Sequence, residues 1–280
     1  MPSPGRSTSR RSRPIPNAEA DSTYTGSMPR TLTKTRGTVL RSWNLGEADR
    51  ILEIQTDELG LVRAVARGVR RVRSKLAGHL EPLTDVELML ASGRGDLMTV
   101  TGAKARALHS GLRTNLDQLT AASAVAELVS RSAPAAEPNP QLSELTRTAL
   151  AALEITDQPE WVSAFYEWQL VRAGGWEPEL GQCVSCGRSL EPARTAFSFT
   201  AGGTICHECR LEDPAAVEIG PEAVKVLRLF SQRSYRELTQ VEIPAAVRQE
   251  VIELVDRLVQ HTLDREPKAK RVGKQLTNLT

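Results

Sequence analysis

Four cysteines in two C-x-x-C pairs constrain this chain more than any other feature. Cys183-Val184-Ser185-Cys186 and Cys206-His207-Glu208-Cys209 stand 19 residues apart, the pattern of a four-thiolate zinc module. The short spacing within each pair is required because two sulfurs must converge at about 2.3 Å on one tetrahedral ion. Gly187, directly after the first pair, permits the positive φ that such a knuckle uses. Phe197 and Phe199 alternate in a strand-like run between the pairs, and Gly202-Gly203 supplies a turn. Four protein ligands leave no open position for substrate. The expected role is therefore a structural Zn2+ held by Cys183, Cys186, Cys206 and Cys209. Four free or redox-active thiols, or a catalytic metal, are the alternatives. His207 reads as a surface residue beside the site. Four cysteines in 280 residues are too few for a disulfide-dense secreted scaffold, so a thiol-reducing cytoplasmic setting is expected.

The hydrophobic period changes along the chain. Thr38–Leu40, Ile51–Gln55, Leu61–Arg67, Asp85–Leu90 and Leu97–Thr101 are five strand-length runs, separated in part by Gly46, Gly60 and Gly93-Arg94-Gly95. Five half-buried strands in so short a span predict a small barrel, whose closure removes exposed edges. Beyond Gly111 the apolar residues recur at helical spacing: Leu112, Leu116, Leu119, Val125, Leu128 and Val129, ended by Pro134 and Pro138. Helices are predicted over Leu142–Ile155 and Glu160–Ala173, the second stopped by Gly174-Gly175. Pro221 and Pro244 each open a further one, the last with a stripe of Val247, Val251, Leu254, Val255, Leu258 and Val259. The cysteines thus lie in an insertion between helices. The expected fold is α+β and multi-domain, with an OB-type barrel over 31–108 and a helical domain over 109–265. The zinc insertion occupies 178–214 of that domain. Residues 1–30, rich in Ser, Pro, Thr and Arg, cannot bury enough apolar surface to order and are expected to be a disordered extension; that Met28 is the true start is one hypothesis. Residues 266–280 form a basic tail.

Catalytic signatures are missing. No G-x-x-x-x-G-K-[ST] loop or G-x-S-x-G elbow occurs. Gly93-Arg94-Gly95 lacks the third glycine of a dinucleotide fingerprint and reads as a hairpin turn. H-x-E and H-E-x-x-H fail because Glu208 directly follows His207 and Leu211 stands where the second His belongs. His79, His109 and His261 are scattered. The chain reads as a non-enzyme. No apolar run reaches the ~20 residues of a membrane helix, and the N-terminus lacks the apolar core of a secretory signal.

Charge then points to a partner. Lys and Arg number 36 against 34 Asp and Glu, a net charge of +2 that argues against a uniformly basic binder but hides segregation. Between Leu59 and Leu80 stand Arg63, Arg67, Arg70, Arg71, Arg73 and Lys75 with no acidic residue, and Lys34, Arg36 and Arg41 add to the first strand region. These nine are the predicted nucleic-acid contacts. Arg265, Lys268, Lys270, Arg271 and Lys274 form a second stretch against Glu266. Aromatics are only 4% of residues, and Trp43 alone falls in the barrel region. Sequence-tolerant single-strand binders stack bases on several rings. Here binding is expected to rest on phosphates, with little preference between single and double strands.

These residues, in their order and spacing, resemble the RecO family of DNA repair proteins. The resemblance runs from about Arg36 to Leu263. In the barrel it rests on Gly46-Glu47-Ala48-Asp49-Arg50-Ile51, Ala66-Arg67-Gly68-Val69-Arg70-Arg71 and Leu80-Glu81-Pro82. Downstream it rests on Phe165, Gly174, Pro178, Leu180, the first cysteine pair with Gly187, Phe199, Gly202-Gly203 and the second pair. It implies an OB-fold, a helical C-terminal domain and a zinc-finger-like insertion, which some relatives lack. It also implies a recombination mediator that binds single- and double-stranded DNA and anneals complementary strands. Such a protein works with RecR and contacts the C-terminal tail of single-strand-binding protein, helping RecA load. Arg63 through Lys75 match the family's DNA-binding part of the barrel. A cytoplasmic, nucleoid-associated protein is implied. The competing reading is a zinc-ribbon factor acting on RNA or in transcription, and a third is a protein-docking scaffold whose charges only aid solubility.

Overall fold

The computed structural model describes residues 31–93, 95–133, 135–190 and 195–262, together with Lys270, Val272 and Gln275. The N-terminal extension with Met28, Arg94, Pro134 and, in the tail, Arg265, Lys268, Arg271 and Lys274 lie outside the described residues.

All five runs with strand-like alternation form strands: β1 (Leu32–Leu45), β2 (Asp49–Thr56), β3 (Gly60–Ala66), β4 (Asp85–Ala91) and β5 (Leu97–Ala107). They close into a barrel in the order β1-β2-β3-β5-β4, with only β3 and β5 parallel. This is the five-stranded OB architecture. β1 is longer than its apolar run because it serves two neighbours: Leu32–Thr38 pair with β4 and Gly37–Leu45 with β2. A bulge between Val39 and Arg41 divides the strand's loyalties. Val39 fills the barrel with Leu52, Ile54, Ala64, Val86, Leu88 and Leu90, whereas Leu40 points out into the helical core. Leu83 joins Leu40 there from a left-handed backbone (φ 67°). The Leu83 N–H donates to the Val39 carbonyl at 2.7 Å, which holds that conformation.

Three helices follow: α1 (Leu116–Ser132), α2 (Pro140–Ile155) and α3 (Pro159–Ala173). Asn115 caps α1 by accepting from the N–H groups of Asp117 and Gln118, and Asn139 caps α2 ahead of Pro140 at its first position. The segment joining α1 to α2 runs along β3, where Ala136 N–H donates to the Leu61 carbonyl at 3.1 Å. Gly60 makes that approach possible, since a Cβ there would lie 2.1 Å from the Glu137 carbonyl oxygen.

The zinc-finger-like module contributes β6 (Ala196–Ser198), β7 (Gly203–Ile205), the one-turn helix α4 (His207–Arg210) and β8 (Val217–Glu218), ordered β7-β6-β8. Its small sheet reaches a few residues past 214. Then α5 (Pro221–Gln232), α6 (Tyr235–Leu238) and α7 (Ala245–Thr262) complete the helical core. α3 is buried on all sides, with Trp161, Phe165 and Trp168 inside. Phe230 of α5 lies 5.0 Å from the Trp161 ring and 5.2 Å from that of Phe165. Each such ring is worth about 1.5–3 kcal/mol by burial. The rings the barrel lacks are therefore spent on the helical core.

Candidate nucleic-acid interface and metal centre

The acid-free run leaves the barrel at the end of β3. Gly68 adopts φ 63° and donates its N–H to the Asp49 carboxylate at 2.7 Å. Arg70 donates its N–H to the Ala48 carbonyl (2.9 Å) and its Nη1 to the Gly46 carbonyl (3.0 Å). The loop is thereby tied to the β1–β2 turn. Two tight turns follow, closed by Arg71 N–H to Gly68 carbonyl (3.1 Å) and Ser74 N–H to Arg71 carbonyl (2.9 Å). Val69 plugs the barrel core beneath them. Arg67, Arg70, Arg71, Arg73 and Lys75 are all exposed, and none has an acidic partner among the described residues. Side chains this long, on a backbone fixed at several points, form a cationic surface of the kind that phosphate oxygens can bind.

The other four predicted cations are placed differently. Lys34 is exposed on β1. Arg36 binds Asp85 through two nitrogens, at 3.0 and 2.6 Å, with the aspartate buried. Arg41, Glu53 and Arg63 stand opposite one another across β1, β2 and β3. Arg41 meets Glu53 at 2.6 Å and Arg63 lies 3.5 Å from it. Ser130 of α1 also donates to Glu53 at 2.6 Å, so this carboxylate, 2% exposed, links the barrel to the helices. Burial opposes its ionisation, but the Ser130 and Arg41 hydrogen bonds outweigh that and hold its pKa below the ordinary value. Arg36 and Arg41 are thus committed to internal pairs. Arg63 also reaches over the ring of Trp43, 5.9 Å from its centroid, and Trp43 remains 39% exposed. Sequence reasoning missed Glu53, because its role depends on strand register and on cover from α1. It also missed Val72, a wholly exposed apolar side chain between Arg71 and Arg73.

In the tail, Lys270 does not extend into solvent. Its Nζ lies 2.7 Å from the Glu167 carboxylate of α3 and also contacts Asp256 of α7. These two carboxylates outweigh burial and keep Lys270 charged, raising its pKa.

The four cysteine sulfurs all lie within 4.8 Å of one another, and none is in a disulfide. Cys186 and Cys206 are 3.8 Å apart, which matches the edge of about 3.8 Å of a tetrahedron with 2.3 Å metal–sulfur bonds. The first knuckle turns as expected: Gly187 has φ 72° and donates to the Cys183 carbonyl at 2.8 Å. The second pair instead sits on a helical turn, with Cys206 at the N-cap of α4 and His207 exposed beyond it. Burial disfavours a Cys183 thiolate, but hydrogen bonds from the Cys206, Cys186 and Ser185 backbones overcome this and bring its pKa to about 6. Hydrogen bonding to Cys206 and Cys186 and repulsion from Cys183 push Cys209 up to about 12. One thiolate forms readily and the last is resisted, as expected of a cluster that needs a cation to ionise fully. The residues fit a four-thiolate metal ion, which would be closed to substrate.

The comparisons with known proteins decide the family. Residues 28–109 match the family model described as recombination protein O N terminal, and residues 113–271 match recombination protein O C terminal. The chain belongs to the RecO family. The DNA repair protein RecO of Dehalococcoides mccartyi is 34% identical over 84% of this chain and 92% of its own length. Those of Roseiflexus (34%, covering 84% and 83%) and Bifidobacterium adolescentis (33%, covering 84% and 96%) are similar over comparable spans. This RecO-family DNA repair protein carries the family's barrel, helices and a four-cysteine cluster. Among the described residues no helix is long and apolar enough to cross a membrane.

Proposed function

We propose that this protein is a recombination mediator that holds DNA by its phosphates and anneals complementary strands. One observation carries the reading: in a RecO-family chain, Arg67, Arg70, Arg71, Arg73 and Lys75 form an exposed, uncompensated loop on an OB barrel. Annealing makes no covalent bond. Two backbones that repel each other are brought together on a cationic surface, and the bases must stay free to pair. A barrel whose one aromatic ring, Trp43, is already shared with Arg63 leaves them free. Arg63, on the strand that leads into the loop, adds to this surface, Lys34 is a further exposed cation on β1, and Arg36 and Arg41 stabilise the barrel through Asp85 and Glu53. The protein acts without catalytic groups of its own, in the cytoplasm on nucleoid DNA. It works with RecR and the C-terminal tail of single-strand-binding protein to load RecA. The metal is Zn2+, held by Cys183, Cys186, Cys206 and Cys209, and it supplies folding energy to the module.

The test is a fluorescence annealing assay with complementary oligonucleotides, run bare and coated with single-strand-binding protein, with and without RecR. Acceleration in both formats is expected. Failure to accelerate either, or stronger binding to structured RNA than to DNA, overturns the reading.

A further inference from the structure

Val72 is at odds with its surroundings. It is an apolar, β-branched side chain at 104% of its reference exposure, so it touches almost nothing. It sits at the first central position of the turn closed by Ser74 N–H and the Arg71 carbonyl. Neither central residue of the turn has a positive φ, so its backbone accepts most side chains and does not itself call for a bulky apolar one. Three residues earlier Val69 shows what a valine in this loop does for stability: it is buried at 2% in the barrel core. Val72 gains no such burial. A branched apolar side chain held fully in solvent, with no contact in the fold to account for it, points to a contact outside it.

Its neighbours say what that contact is. Arg71 and Arg73 flank it, exposed and without acidic partners among the described residues, and the loop is anchored through Gly68 and Arg70. Proteins that kink duplex DNA insert exposed apolar side chains between base steps alongside cationic contacts, and Val72, between Arg71 and Arg73, is placed to do the same. Leu45, also exposed, precedes the Gly46 carbonyl to which Arg70 is bound, so the same end of the barrel offers a second apolar side chain.

We propose that Val72 inserts at a base step of duplex DNA gripped by Arg71 and Arg73, unstacking it and loosening pairing there. The wedge takes effect at flexible pyrimidine–purine steps, where unstacking costs least. This rests on the reading of the loop as the DNA site and extends it from holding backbones to freeing bases.

The experiment places 2-aminopurine at a TA step in the centre of a short duplex and saturates it with full-length protein. The native protein raises the fluorescence. Val72→Ser binds the duplex with an unchanged salt dependence and leaves the fluorescence at the free-duplex level, while Val72→Leu restores the rise. An equal rise with Val72→Ser overturns the wedge. So does the absence of any rise with native protein on a duplex whose binding the Arg70, Arg71 and Arg73 alanine variant abolishes, and there the loop remains the DNA site. Unimpaired binding by that arginine variant overturns the DNA site itself. Val72-dependent binding to phosphatidylglycerol vesicles, with no 2-aminopurine response, assigns the side chain to a lipid surface and overturns the wedge.

Discussion

Replacing Arg70, Arg71 and Arg73 by Ala should change the salt dependence of DNA binding by a predictable amount. Each of these cations is exposed and lacks a carboxylate partner among the described residues, so each releases counterions when it meets a phosphate. The slope of log K against log salt is about −0.9 per phosphate contact on duplex and about −0.7 on single strands. Losing three contacts makes the slope shallower by about 2.7 on duplex and about 2.1 on single strands. Between about 50 and 200 mM salt, the native protein then loses roughly 40-fold more duplex affinity than the variant, and roughly 18-fold more on single strands. Arg70 also anchors the loop through the Gly46 carbonyl, so its loss mixes binding with loop order. The Arg71, Arg73 double variant keeps that anchor and should shift the duplex slope by about 1.8.

Fluorescence anisotropy titrations at four salt concentrations measure these slopes directly. Parallel lines for native and variant proteins would refute the reasoning, because the loop would then contact no phosphates. Arg36→Ala is the internal control. Its guanidinium already faces Asp85 through two hydrogen bonds, so its removal should leave the slope within about half a unit.

The same Arg36→Ala change should instead lower stability by about 1–3 kcal/mol, since Asp85 stays buried without its partner; an unchanged melting temperature counts against that. Cys183→Ser should lose stoichiometric zinc, read by chelator release, and lower the melting temperature while DNA slopes stay as in the native protein. Retained zinc at native stability would argue against a four-thiolate site. Glu53 has a depressed folded pKa, so its contribution is present above the unfolded value and is lost as pH falls below its ordinary 4.5. Glu53→Gln should therefore flatten the acid limb of the urea-midpoint curve, and identical acid limbs would exclude the effect. Lys270→Met strands the fully buried Glu167 and should cost about 3 kcal/mol or more. Adding Glu167→Gln should recover most of it, and equal destabilisation of single and double variants would deny the coupling.

How much of this could be read from the chain depended on whether a signal was local. Alternation at Val86, Leu88 and Leu90 announces β4 because one face of that strand is apolar. The first six residues of β1, ahead of Thr38, were harder, because Thr33, Lys34, Thr35 and Arg36 are polar on both faces. Thr35 is nonetheless buried and Arg36 is neutralised by Asp85 of the adjacent strand. Helix ends were legible at Pro221 and Gly174, where a single residue sets the backbone, whereas α2 begins at Pro140, two residues before the expected Leu142. The cysteine spacing located the four-cysteine cluster, but not the helical turn that presents Cys209. Pairings that join distant segments left no trace in the pattern. Glu53 reads as a solvated strand residue until register sets it between Arg41 and Arg63 and α1 covers it. Lys270 reads as tail charge until Glu167 and Asp256 claim it.

Behind the net charge of +2 stand two populations of arginine with opposite fates. Arg36, Arg41 and Arg147 meet Asp85, Glu53 and Asp57, each pair at 2.6 Å. Two of these pairs engage the helices as well: Ser130 of α1 donates to Glu53, and Arg147 belongs to α2. Their charges cancel where the fold needs direction. At the base of the loop the chemistry reverses. The carboxylate stationed there, Asp49, accepts the backbone N–H of Gly68 instead of a guanidinium. It fixes the turn and leaves Arg67, Arg71 and Arg73 without an acidic partner among the described residues. Substituting Asp49 would accordingly loosen the loop without freeing any cation. The cationic surface keeps its charge because Asp49 hydrogen-bonds the loop's backbone and pairs with none of its guanidinium groups among the described residues.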